Sequence, residues 1–114
     1  MSNYVCSEDD PEKSPWRMAG AMKVGRSYLA SAILDEWKFS ADGAGDRMIY
    51  VVAGCLSEST STAEVYNTRT KEWTTIADTL GKRDSLGLAE LDGELYAVGG
   101  YDNLQNRYLK TVER

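Results

Sequence analysis

Histidine is absent from these 114 residues, and cysteine and proline each occur only twice. Without histidine the chain offers no imidazole base, no Ser–His or Cys–His pair and no histidine metal ligand. Cys6 and Cys55 stand alone, without CxxC spacing. The longest apolar run, residues 48–56, is nine residues with a glycine inside it, too short to cross a bilayer. The first residues carry neither a basic leader nor an apolar stretch, so they do not read as a secretory signal. The expected setting is the cytoplasm or nucleus, with both thiols reduced. Basic residues number 13 against 18 acidic ones, a net charge of −5, and no lysine–arginine cluster occurs. Phosphate backbones are held by such clusters, so nucleic acid is not the expected partner. Neither a metal nor a cofactor is expected.

What is present is a soluble-type composition, 42% apolar and 27% charged, at the length of one domain. Residues 1–15 combine two prolines with Glu8, Asp9, Asp10 and Glu12, and read as a disordered tail or linker. Order is expected to begin at Trp16. From there each candidate element is strand-length. Ser27 to Leu34 and Ser85 to Leu91 are rich in small and apolar residues. Asp92-Gly93 then gives a two-residue hairpin signal, since both types tolerate positive φ. The segments Met48-Ile49-Tyr50-Val51-Val52-Ala53-Gly54 and Glu94-Leu95-Tyr96-Ala97-Val98-Gly99-Gly100 are apolar or small on both faces. Such strands belong to sheets covered on both sides. No window keeps a 3.6-residue period. The expected class is all-β.

The strands fall into a repeat. Trp16 is followed ten residues later by Arg26, and Trp73 ten residues later by Arg83. Tyr50 and Tyr96 lie 46 residues apart, and Val65 and Val112 lie 47 apart. A fixed period of this size marks solenoids, propellers or arrays. The first unit carries about eleven extra residues around 35–47, glycine-rich at one end and bearing Trp37 and Phe39 at the other.

An arginine opening an inner strand, a tyrosine strand ending in glycines, a Val-Tyr pair and a later tryptophan together resemble kelch repeats. The resemblance covers residues 16–114: the closing strand of one blade, a full blade over 26–77 and a partial blade over 83–114. It implies about one and a half four-stranded blades of a β-propeller. Blades bury their faces against one another, so neighbouring blades or self-association are needed to cover these sheets. The resemblance assigns Trp16, Tyr50, Gly54, Tyr66, Trp73, Tyr96, Gly99 and Gly100 to blade structure. It places Arg26, Ser27, Arg83, Asp84, Ser85, Tyr101, Asp102 and Asn103 on one rim as partner contacts. A rim arginine would take a partner carboxylate bidentately. In two places the pattern departs from the family. The double glycine of the first unit reads as Gly54-Cys55, and Glu90 sits late in an inner strand where an apolar residue is usual. Repeat spacing also predicts a tyrosine directly after Arg114.

The function the resemblance implies is a non-enzymatic protein- or peptide-binding module. In this family such modules often serve as the substrate-recognition part of ubiquitin-ligase adaptors that carry an F-box or BTB domain. Cytoskeletal or actin association is an alternative, as is membership in the propeller enzymes, copper oxidases or sugar epimerases. The polar stretch 57–62 reads as a solvated linker, and Asp42-Gly43-Ala44-Gly45-Asp46 as a flexible turn without the ligand spacing of a calcium loop.

Overall fold

A computed structural model describes residues 2–6, 16–38 and 41–114. Among the described residues nine strands occur: β1 (Ser2–Cys6), β2 (Trp16–Ala21), β3 (Ala30–Asp35), β4 (Arg47–Cys55), β5 (Ser59–Asn67), β6 (Glu72–Ile76), β7 (Gly87–Leu91), β8 (Glu94–Asp102) and β9 (Arg107–Glu113). They form an antiparallel pair β1-β2, a four-stranded sheet β3-β4-β5-β6 and a three-stranded sheet β7-β8-β9. One 3₁₀ turn, Glu36–Lys38, is the only helical segment among the described residues. The protein is all-β, built as partial propeller blades.

Local chemistry sets the turns. Asp92 and Gly93 take φ of 51° and 84°, the positive values a tight hairpin between twisted strands requires. Glu90, the apparent misfit in the inner strand, points its carboxylate back at this turn and accepts the Gly93 amide at 2.9 Å. Between β5 and β6 the Asn67 side chain accepts the amides of Arg69 at 2.9 Å and Thr70 at 3.1 Å. This Asx arrangement reverses the chain together with the backbone bond from Lys71 N to Asn67 O at 2.7 Å.

The two larger sheets share one register, which corrects the sequence alignment in two places. Tyr50 pairs with Val65 and Val51 with Glu64, and in the next sheet Ala97 pairs with Glu113. With Tyr50 equivalent to Tyr96, Glu64 matches Glu113; Val65 and Val112 are not equivalent positions. A bulge interrupts β4 between Val52 and Gly54 and β8 between Val98 and Gly100. Ala53 (φ 57°) and Gly54 (φ 103°) repeat the conformations of Gly99 (φ 62°) and Gly100 (φ 107°). The counterpart of the double glycine is therefore Ala53-Gly54. Cys55 corresponds to Tyr101 and needs no special backbone. The second bulge position must be glycine in both sheets. A Cβ on Gly54 would lie 2.6 Å from Ser27 O, and one on Gly100 2.6 Å from Asp84 O.

The expectation of an unstructured segment over 1–15 is corrected at Ser2–Cys6, which forms a strand; residues 7–15 lie outside the described residues. β2 leaves a row of backbone groups along its edge, and a strand edge of this kind binds any segment that can lie along it. Val5 opposes Arg17 and Cys6 opposes Trp16, as Val65 opposes Thr74 and Tyr66 opposes Trp73. β1 and β2 are thus the outer two strands of a preceding blade. Likewise β5 starts at Ser59, so most of the polar stretch 57–62 is strand, not linker.

The core lies between the two larger sheets. Val52, Ala53 and Ala63 pack against Leu86 and Ala97, with Ala30, Ile76 and Leu88 at the margin. Burying each valine contributes about 1.5–3 kcal/mol. β3 and β7 run side by side at the inner edge. Val52, covered by the third sheet, is 6% exposed, whereas its equivalent Val98 on the third sheet's outer face is 44% exposed. The repeat thus carries apolar residues at covered and uncovered positions alike, as stacked blades do.

Candidate functional site

The two rim arginines turn inward. Arg26 is 3% exposed. Its Nη1 donates to Ala53 O at 3.1 Å and Thr62 O at 2.7 Å, and its Nη2 to Glu64 Oε2 at 2.9 Å. Glu64 in turn accepts the amides of Lys23 at 2.7 Å and Val24 at 3.2 Å. One carboxylate thereby fastens the chain leaving β2 to strand β5. Arg83, 2% exposed, repeats the arrangement. Its Nη1 meets Gly99 O at 3.0 Å and Thr111 O at 3.2 Å, and its Nη2 meets Glu113 Oε2 at 2.5 Å. Glu113 also accepts the amides of Leu80 and Gly81.

Arg26 and Arg83 as partner contacts are therefore corrected: both are buried, and both terminal nitrogens of each are engaged by the protein itself. The Nε atoms of both are buried without a hydrogen-bond partner among the described residues. Arg83→Ala should accordingly lower the melting temperature. It leaves Glu113 without its cation, and breaking a buried pair from one side costs about 3–5 kcal/mol. A variant that melts like the parent would contradict this. The sequence reading missed Glu64 and Glu113. Their signal was the repeated Thr-x-Glu of Thr62-Ala63-Glu64 and Thr111-Val112-Glu113.

The remaining rim residues do converge. Ser27 exchanges backbone bonds with Cys55 at 2.7–2.8 Å, and Asp84 with Tyr101 at 2.8–2.9 Å. Three further bonds cross between the sheets: Gly54 N to Arg83 O, Arg83 N to Thr60 O, and Ser85 N to Tyr28 O. The buried Ser59 hydroxyl donates to Asp84 Oδ2 at 2.7 Å and accepts the Asn103 amide at 2.9 Å, while Ser59 N donates to Asn103 Oδ1 at 2.7 Å. Ser27 Oγ lies 3.2 Å from Cys55 O. Asp102 does not face outward: it is buried and accepts the amides of Leu104 and Gln105 at 3.0 and 3.3 Å. It shapes its own loop, a correction to its place among the partner contacts. Tyr101 packs against Tyr108 in a tilted arrangement with ring centroids 5.0 Å apart. The result is a rigid edge on which Tyr28 and Leu56 stand out, 69% and 70% exposed. Neither was named from the sequence, because exposure follows from how the loops are fastened.

Of the residues assigned to blade structure, Tyr66 and Trp73 pack ring to ring at 5.1 Å, and Tyr50 and Tyr96 are half-buried. Burial, aided by the Glu36 carboxylate, holds the Tyr50 phenol above its ordinary pKa. Trp16, on the outer β2, is largely exposed.

The insertion lies at the opposite end of the blade, with the β5–β6 turn. Asp46 accepts Arg69 Nε at 2.7 Å and Asn67 Nδ2 at 2.9 Å, and these bonds hold its carboxyl below the usual range. Asp35 is lowered in the same way, chiefly by Arg47 Nε at 2.6 Å. Lys38 sits 5.4 Å from the Trp37 ring centroid and 3.3 Å from Asp35 Oδ2, so the exposed Trp37 lies on a salt-bridged turn; Phe39 lies outside the described residues. Among the described residues no group of His, Cys, Asp and Glu is placed to hold a metal, and no helix is long and apolar enough to cross a membrane.

The Kelch motif family model matches residues 38–79 and 82–114. Kelch-like protein 40 of Mus musculus is 32% identical over 103 residues, covering 90% of this chain and 15% of that protein. A RING finger domain and kelch repeat-containing protein of Dictyostelium discoideum is 32% identical over 116 residues, covering 99% and 11%. Kelch-like ECH-associated protein 1A of Danio rerio is 34% identical over 96 residues, covering 80% and 14%. The chain thus spans less than a sixth of the length of these relatives. Two matched motifs, and two sheets built on one register with one buried arginine–glutamate pair each, lead to a single conclusion: the chain belongs to the kelch-repeat family.

Proposed function

We propose that the rim formed by the β4–β5 and β8–β9 loops and the segments entering β3 and β7 binds a protein partner. The protein's role, on this reading, is substrate recognition in a ubiquitin-ligase adaptor of the cytoplasm or nucleus. The observation that carries the binding role is the pairing of rigidity with exposure. Tyr28 and Leu56 stand in solvent on loops whose backbones are fastened to the neighbouring sheet. Tyr28 also holds φ at 51°, a left-handed conformation that costs an aromatic residue about 1–2 kcal/mol. Exposed, preorganised aromatic and aliphatic side chains are what protein interfaces use as anchors.

Relatives support a binding role. One is named for its association with another protein, and another carries a RING finger domain beside its kelch repeats. The adaptor role is tested by the coding sequence flanking these residues, where a BTB or F-box segment is expected; a catalytic domain there would overturn it. The rim itself is tested by Tyr28→Ala and Leu56→Ser. Each should weaken partner capture about tenfold, with stability changed by no more than about 0.5 kcal/mol. Unchanged capture in both would remove the rim from the account.

A further inference from the structure

No lysine or arginine occurs in the rim segments 27–29, 55–59, 84–86 and 101–106. Of the three arginines that border them, Arg26 and Arg83 are committed to interior carbonyls and carboxylates, while Arg107 is exposed opposite Asp102 at the base of the β8–β9 loop. A partner carboxylate would find no cation on these segments. The rim's own charges are all negative: Glu58, Asp84 and Asp102. Glu58 is exposed at a loop tip, and Asp102 is engaged by the amides of its own loop.

Asp84 differs from both. It is 7% exposed, and its side chain is held by neutral hydroxyls: Ser59 Oγ at 2.7 Å on one oxygen and Ser85 Oγ at 3.1 Å on the other. No cation pairs with it among the described residues. A carboxylate withdrawn from water and held by hydroxyls alone retains much of its desolvation cost, and a desolvated cation offsets it best. Asp84 borders a recess shared with Ser85, Gly100, Tyr101, Tyr108 and Leu109. The two tyrosine rings there are tilted by 51°, so an incoming ammonium or guanidinium would meet ring faces as well as the carboxylate. Tyr28, whose carbonyl accepts the Ser85 amide at 2.8 Å, and Leu56 supply apolar ground on the same rim.

We infer that the segment docking on this rim carries a lysine or arginine flanked by apolar residues, and that Asp84 receives its cationic head in the tyrosine-lined recess. The inference rests on the rim being the binding edge. It reverses the polarity of partner that two rim arginines would have selected.

The test offers the full chain two matched pools of immobilised peptides of the same apolar composition. One pool has a fixed lysine or arginine, the other a fixed aspartate or glutamate. The basic pool should be captured about tenfold better, and its capture should weaken with salt as screening shortens from about 10 Å at 0.1 M to about 3 Å at 1 M. Asp84→Asn, close to isosteric, keeps one oxygen to accept the Ser59 hydroxyl and turns an amide N–H toward Ser85 Oγ, which can accept it; it should remove most of that preference. Glu58→Gln, at an exposed loop tip, should reduce the preference a further few-fold without touching the fold, which keeps the test decisive even if Asp84→Asn melts early. Equal capture of both pools, preference for the acidic pool, or capture of neither overturns the inference. If the acidic pool binds and Leu56→Ser abolishes it, the rim stands as the binding edge and only the polarity is wrong. If the basic pool binds but neither Leu56→Ser nor Tyr28→Ala alters capture, the rim reading itself falls.

Discussion

Glu64→Ala should remove about 3–5 kcal/mol of folding stability, a large part of the roughly 5–15 kcal/mol that holds a domain together. The magnitude follows from what the carboxylate does. It neutralises Arg26, whose side chain is 0% exposed, and it satisfies two backbone amides of the segment leaving β2. Alanine leaves the buried Arg26 Nη2 donor and the two part-buried amides without an acceptor, and the buried donor carries the largest desolvation cost. Glu64→Gln should lose less, because one oxygen remains to accept Val24 N and Arg26 Nη2, or else Lys23 N. Replacing both partners by apolar residues of similar size, Arg26→Met with Glu64→Leu, should recover much of the loss, since the charge that made the single variant costly is gone. Equilibrium unfolding in denaturant measures all three. A loss below about 1 kcal/mol for Glu64→Ala would mean the pair is not buried as described.

The second large effect is expected at the bulge. Gly54→Ala should cost about 2–5 kcal/mol, combining a backbone conformation that L residues avoid with overpacking. The added methyl would meet Ser27 O at 2.6 Å and Leu29 Cα at 3.1 Å. Neither can swing away as a flexible side chain would. Ser27 O is itself fixed by accepting Cys55 N at 2.7 Å, so relief would break the bridge that sets the rim. Gly100→Ala meets the same obstacle at Asp84 O. The adjacent position behaves differently. Ala53 already tolerates φ of 57°, so Ala53→Gly relieves strain while losing a buried methyl and adding chain entropy. The balance should lie within about 1 kcal/mol of the parent. Thermal unfolding of Gly54→Ala beside Ala53→Gly checks the contrast, and equal effects at the two positions would contradict the bulge geometry.

The strands, the hairpin at Asp92-Gly93 and the repeat were legible in the sequence because each depends on local pattern: alternation, turn chemistry, spacing. The kelch pattern came from the same spacing. What was not legible depends on register and tertiary placement. A two-residue difference in the alignment of β9 hid the match between Glu64 and Glu113, and with it the carboxylates that draw Arg26 and Arg83 inward. A bulge shifted by one residue made Cys55 look like a strained position when Ala53 occupies it. β1 escaped notice because residues 7–15, acidic and containing both prolines, separate it from Trp16. Tyr28 and Leu56 are ordinary residues in the sequence. Their standing as candidate contacts comes from exposure on fastened loops, which only the assembled sheets define.

Parallel melting and partner-capture measurements on Arg83→Ala and Leu56→Ser test the central claim, that the arginine repeated in each unit holds the blade while the loop tips meet the partner. The account predicts that Arg83→Ala melts well below the parent yet captures normally per folded molecule at low temperature, and that Leu56→Ser melts with the parent yet captures about tenfold less. The opposite pattern, an unshifted melt with lost capture for Arg83→Ala and full capture for Leu56→Ser, would contradict it.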